Sequence, residues 1–204
     1  MTTLMTPKTR TRPAPERTHT HGATHAISYA MSECALGELL VARSVNGVCA
    51  ILIGSDRDQL NTDLAAIFPN TNLIPNDAFV HNDLAKVIGF MDNPAAGLHL
   101  PLDMRGTLFQ RRVWEKLRAI PVGRTVTYTD VAYWVGPLTW PLAVADACAS
   151  NPIALAVPCH RVVRSNGDLG GYRWGVERKR EMIRREAISS VVEMRTTLTM
   201  SASL

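Results

Sequence analysis

The 204-residue chain has no Cys-x-x-Cys spacing; its four cysteines stand apart at positions 34, 49, 148 and 159. Such scatter argues against a disulfide framework and fits a reducing compartment, so a cytoplasmic protein is expected. No apolar run approaches the roughly 20 residues of a membrane helix. The polar N-terminus lacks the apolar stretch of a secretory signal. A membrane partner is therefore not expected. Internal repeats are also missing. Positive charge is scarce in one half only. Residues Ala26 to Leu100 hold 3 Lys/Arg against 8 Asp/Glu, whereas Pro101 to Ser190 hold 14 against 8. A basic half joined to an acidic half suggests a polyanionic partner, although a merely solvated basic surface would look the same.

What is present falls into four stretches. Residues 1–25 are rich in Thr, Pro and Arg, cannot bury a core, and are expected to be disordered. His19, His21 and His25 lie there, in a polar tail rather than a metal site. Residues 26–100 are expected to form an N-terminal α/β domain. Ala26-Ile27-Ser28-Tyr29, Gly37 to Ala42 and Val48 to Ile53 read as an antiparallel sheet punctuated by turn signals such as Asn46-Gly47. Helical spacing covers 57–67 and 76–91, the latter through Phe79, Leu84, Val87, Ile88 and Met91. Asp92-Asn93-Pro94 ends that helix, and the run to Pro101 reads as a linker.

Residues 101–190 are expected to be mostly helical. Thr107 is an N-cap candidate for a helix with Phe109, Val113, Trp114 and Leu117 on one face. Pro121-Val122-Gly123 is a turn, and Val126-Thr127-Tyr128 has β propensity. Thr129 can cap a short helix from Asp130 to Val135, ended by Gly136. Pro141 opens another helix, running to Ser150 and made slim by Ala143, Ala145, Ala147 and Ala149. Two short helices across a tight turn have the form of a helix-turn-helix, or of any packed helix pair. A charged helix is expected over Gly175 to Glu186. The tail, 191–204, has no pattern.

The chemistry gathers around Cys159, in the strand-like apolar stretch Ile153 to Val163. A free cysteine can be a small buried core residue. It reacts when neighbours stabilise its thiolate, and here His160, Arg161 and Arg164 follow at once.

Pro158-Cys159-His160-Arg161-Val162-Val163, Gly171-Tyr172-Arg173-Trp174-Gly175 and Arg185-Glu186 resemble the active-site segment of the O6-methylguanine-DNA methyltransferases. The likeness is to the bacterial type, including the C-terminal half of the Ada response protein. Phe109 to Trp114, Ile120 to Gly123 and Tyr128 to Ala132 are similar as well. The resemblance is specific from about Asp103 to Glu186 and weak over Ala26 to Pro101. It implies an α+β fold: a ribonuclease H-like N-terminal sheet with helices, then a winged-helix-like helix-turn-helix half carrying the site. It also implies irreversible, stoichiometric transfer of the alkyl group from O6-alkylguanine, and with it O4-alkylthymine, to a cysteine. Double-stranded DNA would be the partner, the protein a monomer, and no cofactor or metal is implied. No counterpart of the four-Cys zinc domain of full Ada proteins is expected, so the resemblance does not imply transcriptional activation.

Residue by residue, the resemblance makes Cys159 the acceptor and His160 its base through a bridging water. Glu186 would orient His160, Asn151 would tie the turn before the acceptor, and Tyr128 would reach the guanine ring. Tyr128, Thr129, Leu142, Ala143, Arg161 and Val162 would meet DNA. Tyr128, Val162, Gly170, Gly171, Tyr172 and Arg173 would line the substrate pocket. The sequence departs from the family at Leu142, where an Arg otherwise fills the hole left by the flipped base. Thr139-Trp140-Pro141-Leu142 has no positive charge, though an apolar side chain can also unstack a base step. That departure suggests an alternative, a protein that binds alkylated DNA or signals its presence with impaired transfer. A cysteine hydrolase is a third reading, opposed by the adjacency of Cys and His and the lack of a papain-like signature.

Overall fold

The computed structural model describes residues 26–75 and 78–201, so the expectations for 1–25, including its three histidines, lie outside the described residues. Among the described residues the fold is mixed α+β, with a four-stranded sheet, a two-stranded sheet and six α-helices. Strands β1 (Ala26–Cys34), β2 (Gly37–Ser44) and β3 (Gly47–Gly54) form the expected antiparallel meander. A short fourth strand not expected from the sequence, β4 (Asn72–Pro75), pairs parallel to β1 and makes the order β3-β2-β1-β4.

The run Val48 to Ile53 is unbroken apolar because β3 is buried on both faces. Helix α1 (Arg57–Ile67), capped by Asp56, packs on β3 through Leu60 and Leu64. Helix α2 (Ala78–Asp92) packs on β1 and β2 through Val80, Leu84, Val87, Phe90 and Met91. Phe79, expected on that inner face, is exposed instead. Asp83 takes a place on it because its carboxylate meets Arg43 at 2.6 Å.

The outer edge of β3 decides how the two halves of the chain meet. Val48 donates to the Pro101 carbonyl at 2.8 Å and Asp103 donates back to Val48 at 2.9 Å. Further along, Ile51 donates to Pro152 and accepts from Ala154. An edge that could recruit another chain is thus covered by the bridging segment around Leu102 and by the segment before Cys159.

In that second half, Thr107 and Gln110 form a reciprocal capping box at the start of α3 (Leu108–Arg118). Val113, Trp114 and Leu117 are its buried face, and Trp114 Nε1 donates to the Ala147 carbonyl at 2.8 Å. Helix α4 (Tyr128–Val135) starts two residues earlier than expected. Thr127, not Thr129, is its cap, because Asp130 stands three residues beyond Thr127 and closes the box from the other side. After Gly136 the chain turns into α5 (Pro141–Ala149), and α3, α4 and α5 pack together.

The stretch Ile153 to Val163 is not a strand. Ile153 makes a single bridge to Ile51, and Val162–Val163 (β6) pairs parallel to β5 (Val126–Thr127). Pro152 and Pro158 have no N–H to give a ladder, and Asn151 occupies the polar groups of the turn. Leu155 sits at φ 66°, which a β ladder does not accept. The last helix, α6 (Val176–Ser201), extends through most of the tail read as patternless.

Candidate active site

Asn151 builds the site. Its Nδ2 donates to the Val157 carbonyl at 2.8 Å and to Cys159 Sγ at 3.3 Å, while its Oδ1 accepts from Ile153 N at 2.9 Å. One fully buried amide therefore closes the turn and touches the sulfur. Asn151→Ala should remove all three bonds and orphan buried backbone groups. The expected loss is about 2–4 kcal/mol, given ~1–3 kcal/mol for each unsatisfied group. A denaturant midpoint unchanged from wild type would show that the turn stands without it.

Cys159 opens a single helical turn, Cys159–Arg161, and is 3% exposed. His160 and Arg161 point inward from the same turn onto Glu186 of α6. His160 Nε2 lies 2.8 Å from Glu186 Oε1, and Arg161 makes two bonds to the carboxylate, from Nε at 2.9 Å and from its terminal nitrogen at 2.8 Å. Gly123 N donates to Glu186 at 3.3 Å. Only glycine fits at 123: φ is 75°, and a Cβ there would stand 2.5 Å from Ser190 Oγ. The Pro121-Val122-Gly123 turn seen in the sequence is thus what lets α6 come close.

Burial alone would push the Glu186 carboxyl up, but the bonds from His160 and Arg161 outweigh it and hold it at about 2. His160 is pushed the other way: burial disfavours imidazolium more than Glu186 favours it, so its pKa falls below 6.5. With the carboxylate ionised, Nε2 carries the proton that Glu186 accepts. Nδ1, buried with no protein hydrogen-bond partner, keeps a free lone pair.

Arg161 was expected at the DNA surface. It is buried, and its guanidinium is occupied by Glu186 and by the Ile120 carbonyl. Nor do His160 and Arg161 supply the positive setting of the thiol, since both are committed to Glu186. That setting comes from Lys179 of α6, a residue the sequence reading did not single out. Lys179 is fully buried, and its Nζ donates to the carbonyls of Val162, at 2.6 Å, and Leu169. In sequence it is one cation among Arg178, Arg180 and Arg184; only burial marks it. Burial raises Cys159 to about 11, with the Asn151 bond, Lys179 and Arg173 pulling against that rise. The resting sulfur is therefore a thiol, contrary to the lowered pKa its neighbours in sequence suggested.

The thiol opens into a cavity of about 410 Å³ lined by Tyr128, Ala145, Asp146, Cys148, Cys159, Gly171, Tyr172 and Arg173. Tyr128, first residue of α4, is half-buried, and burial lifts its hydroxyl to about 12, so it stays a donor. Gly170, at φ 68°, passes close to that hydroxyl. Tyr172 stacks edge-on against Trp174, with ring centroids 5.1 Å apart. Val162 is fully buried in β6, its carbonyl bound to Lys179. Cys148 shares the cavity, but burial pushes its thiol far up. Thr129, Leu142 and Ala143 lie outside this lining; Thr129 and Leu142 are exposed and Ala143 is half-buried. Among the described residues, no group of three or more His, Cys, Asp or Glu is placed to hold a metal ion. No described helix is long and apolar enough to cross a membrane.

Comparison with known proteins places this geometry. Residues 108–188 match the model of the 6-O-methylguanine DNA methyltransferase, DNA binding domain. The chain is 46% identical over 168 residues to the bifunctional transcriptional activator/DNA repair enzyme Ada of Escherichia coli K12, covering 82% of this chain and 48% of that protein. It is 45% identical over 146 residues to a methylated-DNA–protein-cysteine methyltransferase of Mycolicibacterium paratuberculosis, covering 69% of this chain and 88% of the relative. The fold is similar to that of Mycobacterium tuberculosis OGT crystallised in complex with DNA, with TM-score 0.65 and 29% identity over 79% of this chain and 94% of the other. The chain spans about half the length of the Ada proteins it matches.

Proposed function

From the premise that the chain belongs to the methylated-DNA–protein-cysteine methyltransferase family, we propose that it repairs DNA by moving the alkyl group of O6-alkylguanine irreversibly onto Cys159. The observation that carries the reading is a thiol facing a base-sized cavity, held by Asn151 and adjacent in one buried turn to His160, which is paired with Glu186. Double-stranded DNA is the proposed partner, with the chain acting as a monomer. The fold labels implied by the resemblance, ribonuclease H-like and winged-helix-like, and a boundary near residue 100, are proposed with it.

The proposed steps balance without a cofactor. His160 Nδ1 takes the Cys159 proton through a water, which a thiol held near 11 requires at neutral pH. Sulfur attacks the alkyl carbon, the carbon–O6 bond breaks, and its electron pair passes into the guanine. Tyr128 O–H gives the ring a proton and regains one from His160. The products are S-alkylcysteine and guanine. A thioether is stable, so each chain reacts once.

DNA carrying a labelled methyl group supplies the test. One label per chain should move to protein, and peptide mapping should find it on Cys159 alone. Cys148 is the internal control, since it lines the same cavity but burial pushes its thiol further up. Label kept on DNA by a tightly bound protein would instead favour the binding or signalling alternative, and label on Cys148 would remove Cys159 from its role.

A further inference from the structure

Thirteen large apolar side chains are exposed among the described residues, and five of them, Tyr133, Trp134, Leu138, Trp140 and Leu142, fall within ten positions at the α4–α5 corner. Leu138 is 92% exposed, Trp140 76% and Leu142 73%. Trp140 stands at the N-cap of α5 and makes no capping hydrogen bond. A Ser, Thr, Asp or Asn at that position would stabilise the helix by about 0.5–2 kcal/mol. The position is thus given to an exposed ring that serves neither the core nor the helix, the kind of local conflict that marks function.

The corner is continuous with the acceptor cavity. Leu142, Ala145 and Ala149 recur at three- and four-residue spacing and share one face of α5. Ala145 and Ala149, with Asp146, line the cavity, so Leu142 stands one turn outward at its rim. This face carries one carboxylate, Asp146, and no cation. The positive groups are on the other wall: Arg173 lines the cavity, and Arg164 and Arg180 flank a depression beside Gly170. A helix face without cations gains little from phosphates. Exposed aromatic and aliphatic groups gain from bases, by stacking or insertion.

We propose that the α4–α5 corner holds DNA by stacking Trp140 and wedging Leu142 against bases, and that the chain thereby favours alkylguanines already unpaired or mispaired. The inference rests on the proposed alkyl transfer. Its physical basis is that extrusion costs least where stacking and pairing are already lost, and that the α5 face carries no cation to compensate for a well-stacked site, the nearby Arg112 being bound to the Val135 carbonyl at the end of α4.

The test uses the full chain and three probes bearing the same alkyl group: free O6-benzylguanine, a single-stranded oligonucleotide, and the same oligonucleotide in fully paired duplex. Single-turnover rates are read at saturating DNA. Wild type should react with the single strand at least about tenfold faster than with the duplex, one unstacked base step being worth a few kcal/mol. Its binding should weaken with salt no more steeply than about three phosphate contacts dictate. Trp140→Ala and Leu142→Ala should each lower the ratio of DNA rate to free-base rate about tenfold, and Leu142→Arg should steepen the salt slope by about one contact. Unchanged ratios in both Ala variants would overturn the inference and leave the corner to a protein partner. Failure of free O6-benzylguanine to modify Cys159 would instead overturn the transfer reading itself.

Discussion

Cys159→Ala should end the proposed alkyl transfer, a fall on the order of 10⁶-fold or more, the lower range of enzymatic acceleration. Cys148 will not substitute for it: its burial lifts the thiol further, and His160 belongs to the neighbouring turn. The same variant has a second expected result, in stability. A thiol raised by burial to about 11 favours the folded state while the unfolded thiol, near 9, is still protonated. That contribution is full below the unfolded value and is lost as pH rises through about 11. Two pKa units correspond to about 3 kcal/mol. Wild type should therefore lose stability between pH 9 and 11 faster than Cys159→Ala does. Chemical denaturation at pH 7 and pH 10.5 measures the difference. Parallel losses in the two proteins would mean that the sulfur is far better solvated than its 3% exposure indicates.

How much of this was legible before the fold was known depends on whether a residue signals locally. Thr107 with Gln110 three residues on, the apolar run of β3, and Gly136 after Val135 each carry their meaning within a few positions. The element assignments built on them hold. Cys159, His160, Glu186 and Asn151 are singled out by resemblance, and the fold sets them in two hydrogen-bonded pairs, Asn151 with Cys159 and His160 with Glu186, through the adjacent residues Cys159 and His160. Errors came where a long-range partner overrides local chemistry. Arg161 is expected to meet DNA, but Glu186, 25 residues away, holds its guanidinium. Phe79 fits a helical stripe, but Asp83 takes the inner position because Arg43 is there to meet it. Strand β4 is four residues long and gains its identity only from β1. Lys179 sits in a run of charged residues, and nothing in that run tells which one is buried beside the thiol.

The second large effect should come from the pair His160 and Glu186, and the structure sharpens how it must be measured. His160→Ala removes the proposed base and should slow transfer by about 10²–10⁴. Glu186→Ala is a poor probe of orientation, because it would leave the Arg161 guanidinium buried without its counter-charge, at about 3–5 kcal/mol. Glu186→Gln keeps the volume and an acceptor oxygen while removing the charge. If Glu186 acts through His160, Glu186→Gln should slow transfer by about 10²-fold or more, and His160→Ala with Glu186→Gln should be scarcely slower than His160→Ala alone, as for residues that form one unit. Near-multiplicative losses would mean that the carboxylate serves only to neutralise Arg161. The pH profile adds a readout that a merely structural role would not move. Burial lowers the His160 pKa below 6.5 and the hydrogen bond and charge of Glu186 work against that fall, so Glu186→Gln should carry the acid limb of the rate to still lower pH. Stability should respond on the same side. A buried neutral imidazole begins to lose its contribution as pH falls through 6.5, where the unfolded histidine takes a proton. Glu186 adds a second loss as pH falls from about 4.5 toward about 2, as its carboxylate is protonated in the folded state too. His160→Ala should abolish the first of these losses and Glu186→Gln the second.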